Sequence, residues 1–157
     1  VLDVGCGTAR YSVEFAKRGA EHVVGLDISD KMIDASISFA NENNVLDKCN
    51  FVKTDLLEYN ADFKFDITIG IGLFDYIKDP FPVIDKMKKI TTNKIILSFP
   101  RIFTWRAPIR KLRLGMKSCS VYFYTKNNIG LLLESNGFKI INLEQLGKLY
   151  CVVASRV

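Results

Sequence analysis

The sequence has few of the residues that build disulfide frameworks or zinc sites. Its four cysteines (Cys6, Cys49, Cys119 and Cys151) stand far apart without a C-x-x-C pair, and His22 is its single histidine. Neither the disulfide scaffold of a small secreted domain nor a Cys/His zinc site is therefore predicted. We expect reduced thiols, no bound metal and a cytoplasmic location.

Long apolar runs and linkers are also missing. The longest apolar stretch, around residues 67–74, is far shorter than the roughly 20 residues of a membrane-spanning helix. The chain has 157 residues and four prolines, and no Gly/Ser/Pro-rich stretch divides it. One globular domain over residues 1–157 is predicted. Since Val1 already belongs to an apolar run, we expect further residues to precede it in the natural protein.

Positive charge is concentrated in one stretch. Residues 101–126 contain seven cations and no acid, and the net charge of +5 less those seven leaves −2 for the rest of the chain. A local excess of this kind indicates an anionic ligand or surface near the segment, rather than nucleic acid bound over the whole domain. No specific nucleic-acid partner is predicted.

Short apolar runs alternate with segments of helical periodicity. The strand candidates are residues 1–4, 23–26, 51–52, 67–71, 94–99, 138–143 and 149–153. Helices begin after the predicted caps Ser29 and Thr125 and at Asp79-Pro80, and another occupies residues 11–18. The alternation predicts a three-layer, doubly wound α/β fold with a parallel sheet. Only residues 144–148 separate the last two strands, so these form an antiparallel C-terminal hairpin.

The first strand leads into a glycine-rich turn and a helix. Gly5 and Gly7 let a ligand approach the main chain, and the helix N-terminus attracts negative groups. A dinucleotide fingerprint would need glycine where Arg10 stands, so a pyrophosphate is not favoured. The alternative is an ordinary tight turn of an α/β domain.

Two acidic residues end the next two strands. Asp27 lies twenty residues after Gly7, where a carboxylate accepts hydrogen bonds from ribose hydroxyls and repels the 2′-phosphate of NADP. Asp55 ends the third strand, where it can accept a bond from the exocyclic amine of adenine. Alternatively, Asp27 is only a turn residue before Ser29, and Asp55 is an ordinary acidic residue of a loop.

Together these motifs resemble those of class I S-adenosylmethionine-dependent methyltransferases. The run Asp3–Thr8 is similar to the first motif of that family, and Asp27, Asp55 and the strand at residues 65–70 fall at later motifs in the same order. The resemblance implies S-adenosylmethionine as cofactor, a seven-stranded Rossmann-like sheet, and an N-terminal helix that this sequence lacks. Ala9 stands where a third glycine is usual, and we expect it to change the turn only slightly.

The resemblance also implies which residues hold the cofactor. The glycine turn would approach its methionine part, the acid after the second strand its ribose, and residues after the second and third strands its adenine. The implied cofactor-binding residues are Asp3, Gly5, Cys6, Gly7, Asp27, Ile28, Met32, Asp55, Leu56 and Gly70.

The loop after the fourth strand supplies candidate substrate residues. Because a doubly wound sheet presents this loop to ligands at its carboxyl edge, Phe74, Asp75 and Tyr76 are predicted to face the substrate. Asp75 and Tyr76 are also candidate catalytic bases, needed only if the acceptor must lose a proton. Tyr76 replaces a histidine that related enzymes often carry, which disfavours a metal. The loop lacks the Asn/Asp-Pro-Pro-Tyr/Phe pattern of DNA-amino methylation.

Aromatic and cationic residues alternate in a predicted substrate-side insertion at residues 100–124. Arg101, Trp105 and Arg106 are predicted to bind an anionic aromatic or lipid-like acceptor. A second hypothesis is peripheral contact of this insertion with an anionic membrane surface, and a third is a solvated basic loop.

The function predicted from the sequence is therefore S-adenosylmethionine-dependent methylation of a small organic molecule. Two alternatives stay open: methylation of RNA or protein, and a cofactor-binding domain without catalysis.

Overall fold

A computed structural model of the chain describes residues 1–101 and 121–157. Its strands are β1 (Leu2–Val4), β2 (Val23–Asp27), β3 (Cys49–Lys53), β4 (Phe65–Gly70), β5 (Thr91–Pro100), β6 (Phe138–Leu146) and β7 (Leu149–Arg156). Its helices are α1 (Arg10–Lys17), α2 (Asp30–Glu42), α3 (Phe81–Ile90) and α4 (Lys126–Ser135), and a short 3-10 turn spans Leu46–Lys48. All seven predicted strands are confirmed.

The seven strands form one sheet in the order β3-β2-β1-β4-β5-β7-β6. The first five strands pair in parallel, whereas β7 pairs antiparallel with both β5 and β6. The predicted hairpin is therefore present, and it joins the sheet by its second strand. The buried residues of β1 and β2 have no alternation, as expected of strands covered on both faces.

Helices on both faces bury two apolar clusters, so the three-layer architecture is confirmed. The larger cluster lies between the sheet and α3 and α4, with Ile84, Met87, Ile129 and Leu133 fully buried. The smaller one lies beneath α1 and α2 and includes Val13 among its buried residues. No helix in residues 1–101 or 121–157 is long and apolar enough to cross a membrane.

Local side-chain hydrogen bonds mark the starts of α4 and α3, whereas α1 and α2 begin without a capping side-chain bond in the described chain. The Thr125 hydroxyl accepts the Asn128 N–H (3.2 Å), and the Asn128 side chain accepts the Thr125 N–H in return (3.3 Å), so α4 begins with the predicted cap. Asp79 Oδ1 accepts the Phe81 N–H (3.1 Å) at the start of α3. Ser29 occupies the N-cap of α2, but its side chain makes no capping hydrogen bond within the described chain.

Candidate cofactor and acceptor site

A cavity of about 750 Å³ lies where β1, β2, β3 and β4 end, a volume typical of small-molecule sites. We call the segment after β4, residues 71–79, the β4 loop; it forms one wall. The cavity is lined by Val4, Gly5, Leu26, Asp27, Ile28, Thr54, Asp55, Leu56, Leu57, Ile71, Gly72, Leu73, Tyr76, Ile77, Lys78, Asp79 and Val83.

The glycine turn brings main chain to the cavity wall. Gly5 has φ +70°, a conformation that favours glycine, and a Cβ added there would make a tight 3.2 Å contact with Leu73 Cδ1. The N–H groups of Gly5 and Cys6 both donate to the Leu26 carbonyl (2.8 and 2.9 Å), which ties the turn to β2. Ala9 also adopts a left-handed conformation (φ 60°) and is fully buried. The alanine therefore adopts the backbone conformation that a glycine would favour.

Asp27 is oriented by two main-chain donors. Its Oδ2 accepts the Gly7 N–H (3.0 Å) and its Oδ1 accepts the Ser29 N–H (2.9 Å). A carboxylate has about four acceptor positions, so two protein bonds leave capacity for ligand hydroxyls. The geometry thus fixes a ligand-accepting carboxylate beside the glycine turn.

Asp55 and several exposed apolar side chains lie on the neighbouring side. Asp55 Oδ1 accepts the Leu57 N–H (2.8 Å) and thereby holds the turn after β3. Ile28 is 71% exposed, and Leu57 is 50% exposed. Large apolar side chains that remain exposed at a cavity are typical of a surface that a ligand covers.

Two predicted cofactor residues lie buried beneath the turn. Asp3 is 2% exposed and accepts a hydrogen bond from Ser12 Oγ (2.6 Å), and burial raises the pKa of its carboxyl to about 6. Burial also raises the pKa of the Cys6 thiol to about 12, and its Sγ lies 3.7 Å from Ser36 Oγ. Asp3 is thus bonded to α1 and Cys6 contacts α2, and neither residue lines the cavity in the described chain.

Of the ten predicted cofactor-binding residues, all within the described chain, five line the cavity and five do not. Gly5, Asp27, Ile28, Asp55 and Leu56 line the cavity, and their contact with the cofactor stays a prediction. The remaining predicted residues, which do not line it in the described part of the chain, are Asp3, Cys6, Gly7, Met32 and Gly70. Gly7 acts instead through its bond to Asp27, and Gly70 is packed tightly, because an added Cβ would lie 3.3 Å from Leu97 and Met87.

The β4 loop is attached to the rest of the fold at three points. Gly72, with φ +78°, donates its N–H to the buried Ser98 hydroxyl (2.8 Å). The carbonyl of Asp75 accepts the Tyr122 N–H (3.0 Å). The Phe74 ring stacks on Phe99, with centroids 4.5 Å apart. These contacts define which side chains of the loop reach the cavity.

The prediction that Phe74 faces the substrate is wrong. Its ring is fully buried between the loop and β5 and belongs to the main core. Asp75 is 5% exposed and does not line the cavity within the described chain, whereas Tyr76 lines it and is 56% exposed. Burial, and then the charge of Asp75, raises the pKa of nearby Tyr124 to about 12. Of the two predicted catalytic candidates, the structure places Tyr76 at the site.

Arg101 points to the β6–β7 turn and not to the cavity. Its Nη1 donates to the Gly147 carbonyl (2.8 Å), and its guanidinium lies 5.4 Å from the centroid of the Tyr150 ring. The prediction that Arg101 binds the acceptor is therefore corrected. Trp105 and Arg106, and with them the proposed membrane-contacting surface, lie outside the described residues.

The sequence analysis did not predict as cavity residues Val4, Leu26, Thr54, Leu57, Ile71, Gly72, Leu73, Ile77, Lys78, Asp79 and Val83. Most of them lie within a few residues of Asp55 or Tyr76 in the sequence, and this proximity could have identified them as cavity residues. In residues 1–101 and 121–157, no group of three or more His, Cys, Asp or Glu side chains could hold a metal ion. Among the described residues, Cys6, Cys49 and Cys151 are free cysteines.

Substitution of Ser98 by alanine is expected to loosen the β4 loop. It removes the acceptor of the Gly72 N–H, and a typical protein hydrogen bond contributes about 0.5–1.5 kcal/mol to stability. We expect a corresponding fall in the free energy of unfolding and faster amide hydrogen exchange at Gly72. Ser38→Ala, at an exposed serine of α2, is the matched control. Equal exchange at Gly72 in wild type and Ser98→Ala would contradict this role for Ser98.

Comparison with known proteins identifies the family. Residues 1–94 match the model of the methyltransferase domain. The ribosomal protein L11 methyltransferase of Actinobacillus succinogenes is 34% identical over 89 residues, which is 57% of this chain and 30% of that protein. The chain thus spans less than a third of the length of this relative.

Solved structures share the fold. Magnesium protoporphyrin IX methyltransferase from Synechocystis, with bound SAH, is 24% identical and has a TM-score of 0.84; the similarity covers 99% of this chain and 73% of that one. An S-adenosylmethionine-dependent methyltransferase from Mesorhizobium loti is 17% identical, with a TM-score of 0.80 and coverage of 99% and 89%. The chain belongs to the methyltransferase domain family, which confirms its resemblance to class I S-adenosylmethionine-dependent methyltransferases.

Proposed function

We propose that the cavity binds S-adenosylmethionine and that the protein methylates a small organic molecule. The observation that carries the proposal is the Asp27 carboxylate, which two main-chain N–H groups hold at the end of β2, inside the cavity and beside the glycine turn. Such a group recognises the ribose hydroxyls of a nucleoside ligand.

The other residues at this end of the cavity fit the same ligand. Ile28 and Leu57 offer apolar surface to the adenine, and Asp55 and Leu56 lie where its edge would be read. Gly5 leaves room for the methionine part because it carries no side chain. When bound, the cofactor supplies a methyl group already activated by its sulfonium.

The protein's own contribution is mainly positioning. Holding a nucleophile and an activated methyl group in a reactive geometry supplies roughly 7–11 kcal/mol. Leu73, Ile77 and Val83 give one wall of the cavity an apolar surface. The Tyr76 hydroxyl, also on this wall, is the group that we propose to hydrogen-bond the acceptor atom.

A protein acceptor is the second candidate. The relative from Actinobacillus succinogenes is by name a ribosomal protein methyltransferase, and its similarity to this chain favours this alternative. Incubation with radiolabelled S-adenosylmethionine and either ribosomal protein L11 or a small-molecule acceptor library separates the two. Label transferred only to the protein would overturn the small-molecule proposal.

Calorimetric titration with S-adenosylmethionine, S-adenosylhomocysteine and NADH tests the cofactor assignment. We expect binding of the first two alone and at least a ~10-fold loss in Asp27→Asn, equivalent to about 1.4 kcal/mol. The asparagine keeps the side-chain volume but removes one acceptor oxygen and the charge.

Asp34→Asn, at an exposed residue of α2, is the control and should bind like wild type. Because Asp27 also orders the glycine turn, thermal unfolding of Asp27→Asn should accompany the titration. Binding of NADH in place of the sulfonium ligand would contradict the cofactor assignment, as would unchanged affinity in a folded Asp27→Asn protein.

A further inference from the structure

The order of the strands divides the cavity into two ends. The carboxyl ends of β3, β2, β1 and β4 follow one another along the sheet edge, and neighbouring strands lie roughly 4.8 Å apart. The ends of β3 and β4 are therefore about 14 Å apart. Asp55 and Asp27 lie at the β3–β2 end, whereas the β4 loop forms the opposite end.

The two ends differ in chemistry. The β3–β2 end carries two carboxylates and the Thr54 hydroxyl. The β4-loop end is lined mainly by the apolar and aromatic side chains Ile71, Leu73, Tyr76, Ile77 and Val83, together with the charged side chains of Lys78 and Asp79. These apolar and aromatic side chains form a surface that suits the body of an apolar or aromatic molecule.

Among the cavity-lining residues that the structure describes, Lys78 is the one with a positively charged side chain. The ion pairs in residues 1–101 and 121–157 involve Arg18, Lys53 and Lys89, so Lys78 forms none there. The neighbouring carboxylate, Asp79, orients its Oδ1 towards the N-terminus of α3 by accepting the Phe81 N–H. The Lys78 ammonium is thus available to an anion at the apolar end.

We propose that the acceptor bound at the β4-loop end is an apolar or aromatic molecule that carries a carboxylate, and that Lys78 is the partner of this carboxylate. The inference rests on the proposed function, since the Asp27 end must hold the cofactor for the other end to be left for the acceptor. Lys78 thereby replaces Arg101 as the predicted partner of the anion, because Arg101 contacts Gly147 and Tyr150 instead.

The test is a calorimetric titration of the protein saturated with S-adenosylhomocysteine. The three probes, p-hydroxybenzoate, p-hydroxybenzyl alcohol and tyramine, share one ring and differ in charge. We expect p-hydroxybenzoate to bind at least ~10-fold more tightly than the other two. Lys78→Gln should abolish this preference, and Lys139→Gln, at an exposed residue of the distant strand β6, should preserve it.

The same titrations separate the two proposals. Normal S-adenosylhomocysteine binding without a preference for the acid would overturn the acceptor subsite and leave the cofactor assignment intact. A failure of wild type to bind S-adenosylhomocysteine would overturn both. The carboxylate of the cofactor itself is another anion that Lys78 could meet. If Lys78→Gln weakens S-adenosylhomocysteine ~10-fold and keeps the preference for p-hydroxybenzoate, the acceptor assignment is wrong.

Discussion

Phe74→Ala is expected to lower the free energy of unfolding by about 3–5 kcal/mol, the usual cost of removing a buried phenylalanine ring. The ring is fully buried and stacks on Phe99, which in turn makes an edge contact with Tyr124 (5.0 Å). Its loss would leave a cavity beneath the β4 loop. Urea unfolding measures the effect, and Phe74→Leu, which fills part of the space, should lose less.

Tyr76→Ala is the matched control two residues further along the same loop. Tyr76 is 56% exposed, so we expect its removal to change the free energy of unfolding by no more than about 0.5 kcal/mol. A small loss of stability in Phe74→Ala together with a large loss in Tyr76→Ala would mean that Tyr76, and not Phe74, is the buried side chain.

The second large effect concerns Asp3 and pH. Burial raises the pKa of its carboxyl from 3.8 to about 6, so the folded protein binds this proton more tightly than the unfolded chain. The contribution of Asp3 to stability is therefore complete below pH 3.8 and is lost as pH rises through 6. The loss corresponds to about 3 kcal/mol.

Asp3→Asn removes this titration and retains an oxygen that can accept the Ser12 hydroxyl. Relative to wild type, the variant should gain up to about 3 kcal/mol of stability between pH 3.5 and 7, measured by urea unfolding at several pH values. Asp34→Asn, at an exposed carboxyl, controls for the removal of one acid. A constant difference between Asp3→Asn and wild type across this range would contradict the shifted pKa of Asp3.

Local patterns were sufficient to predict the strands and most helix ends. Apolar runs that suit a sheet covered on both faces mark β1 and β2, and the Thr125–Asn128 pair caps α4 through bonds three residues apart. The five-residue connection between the last two strands predicted their antiparallel pairing. Each of these features depends on residues close together in the chain.

The errors at the site arise from contacts between distant residues. Phe74 faces the core because β5 provides Phe99 as its partner and Ser98 as the acceptor for Gly72. Arg101 points away from the cavity because the Gly147 carbonyl, 46 residues along the chain, accepts its hydrogen bond. Neither partner is visible in the local sequence around the residue concerned.

The position of β7 has a consequence for synthesis of the chain. β7 is made after β6, yet it lies between β5 and β6 and pairs with both. Until it leaves the ribosome, β5 is an open sheet edge with apolar residues Ile95, Leu97 and Phe99, all fully buried in the folded domain. Open apolar edges pair readily with other chains. A translational pause before β7 would therefore prolong exposure of the nascent protein to aggregation and chaperone capture.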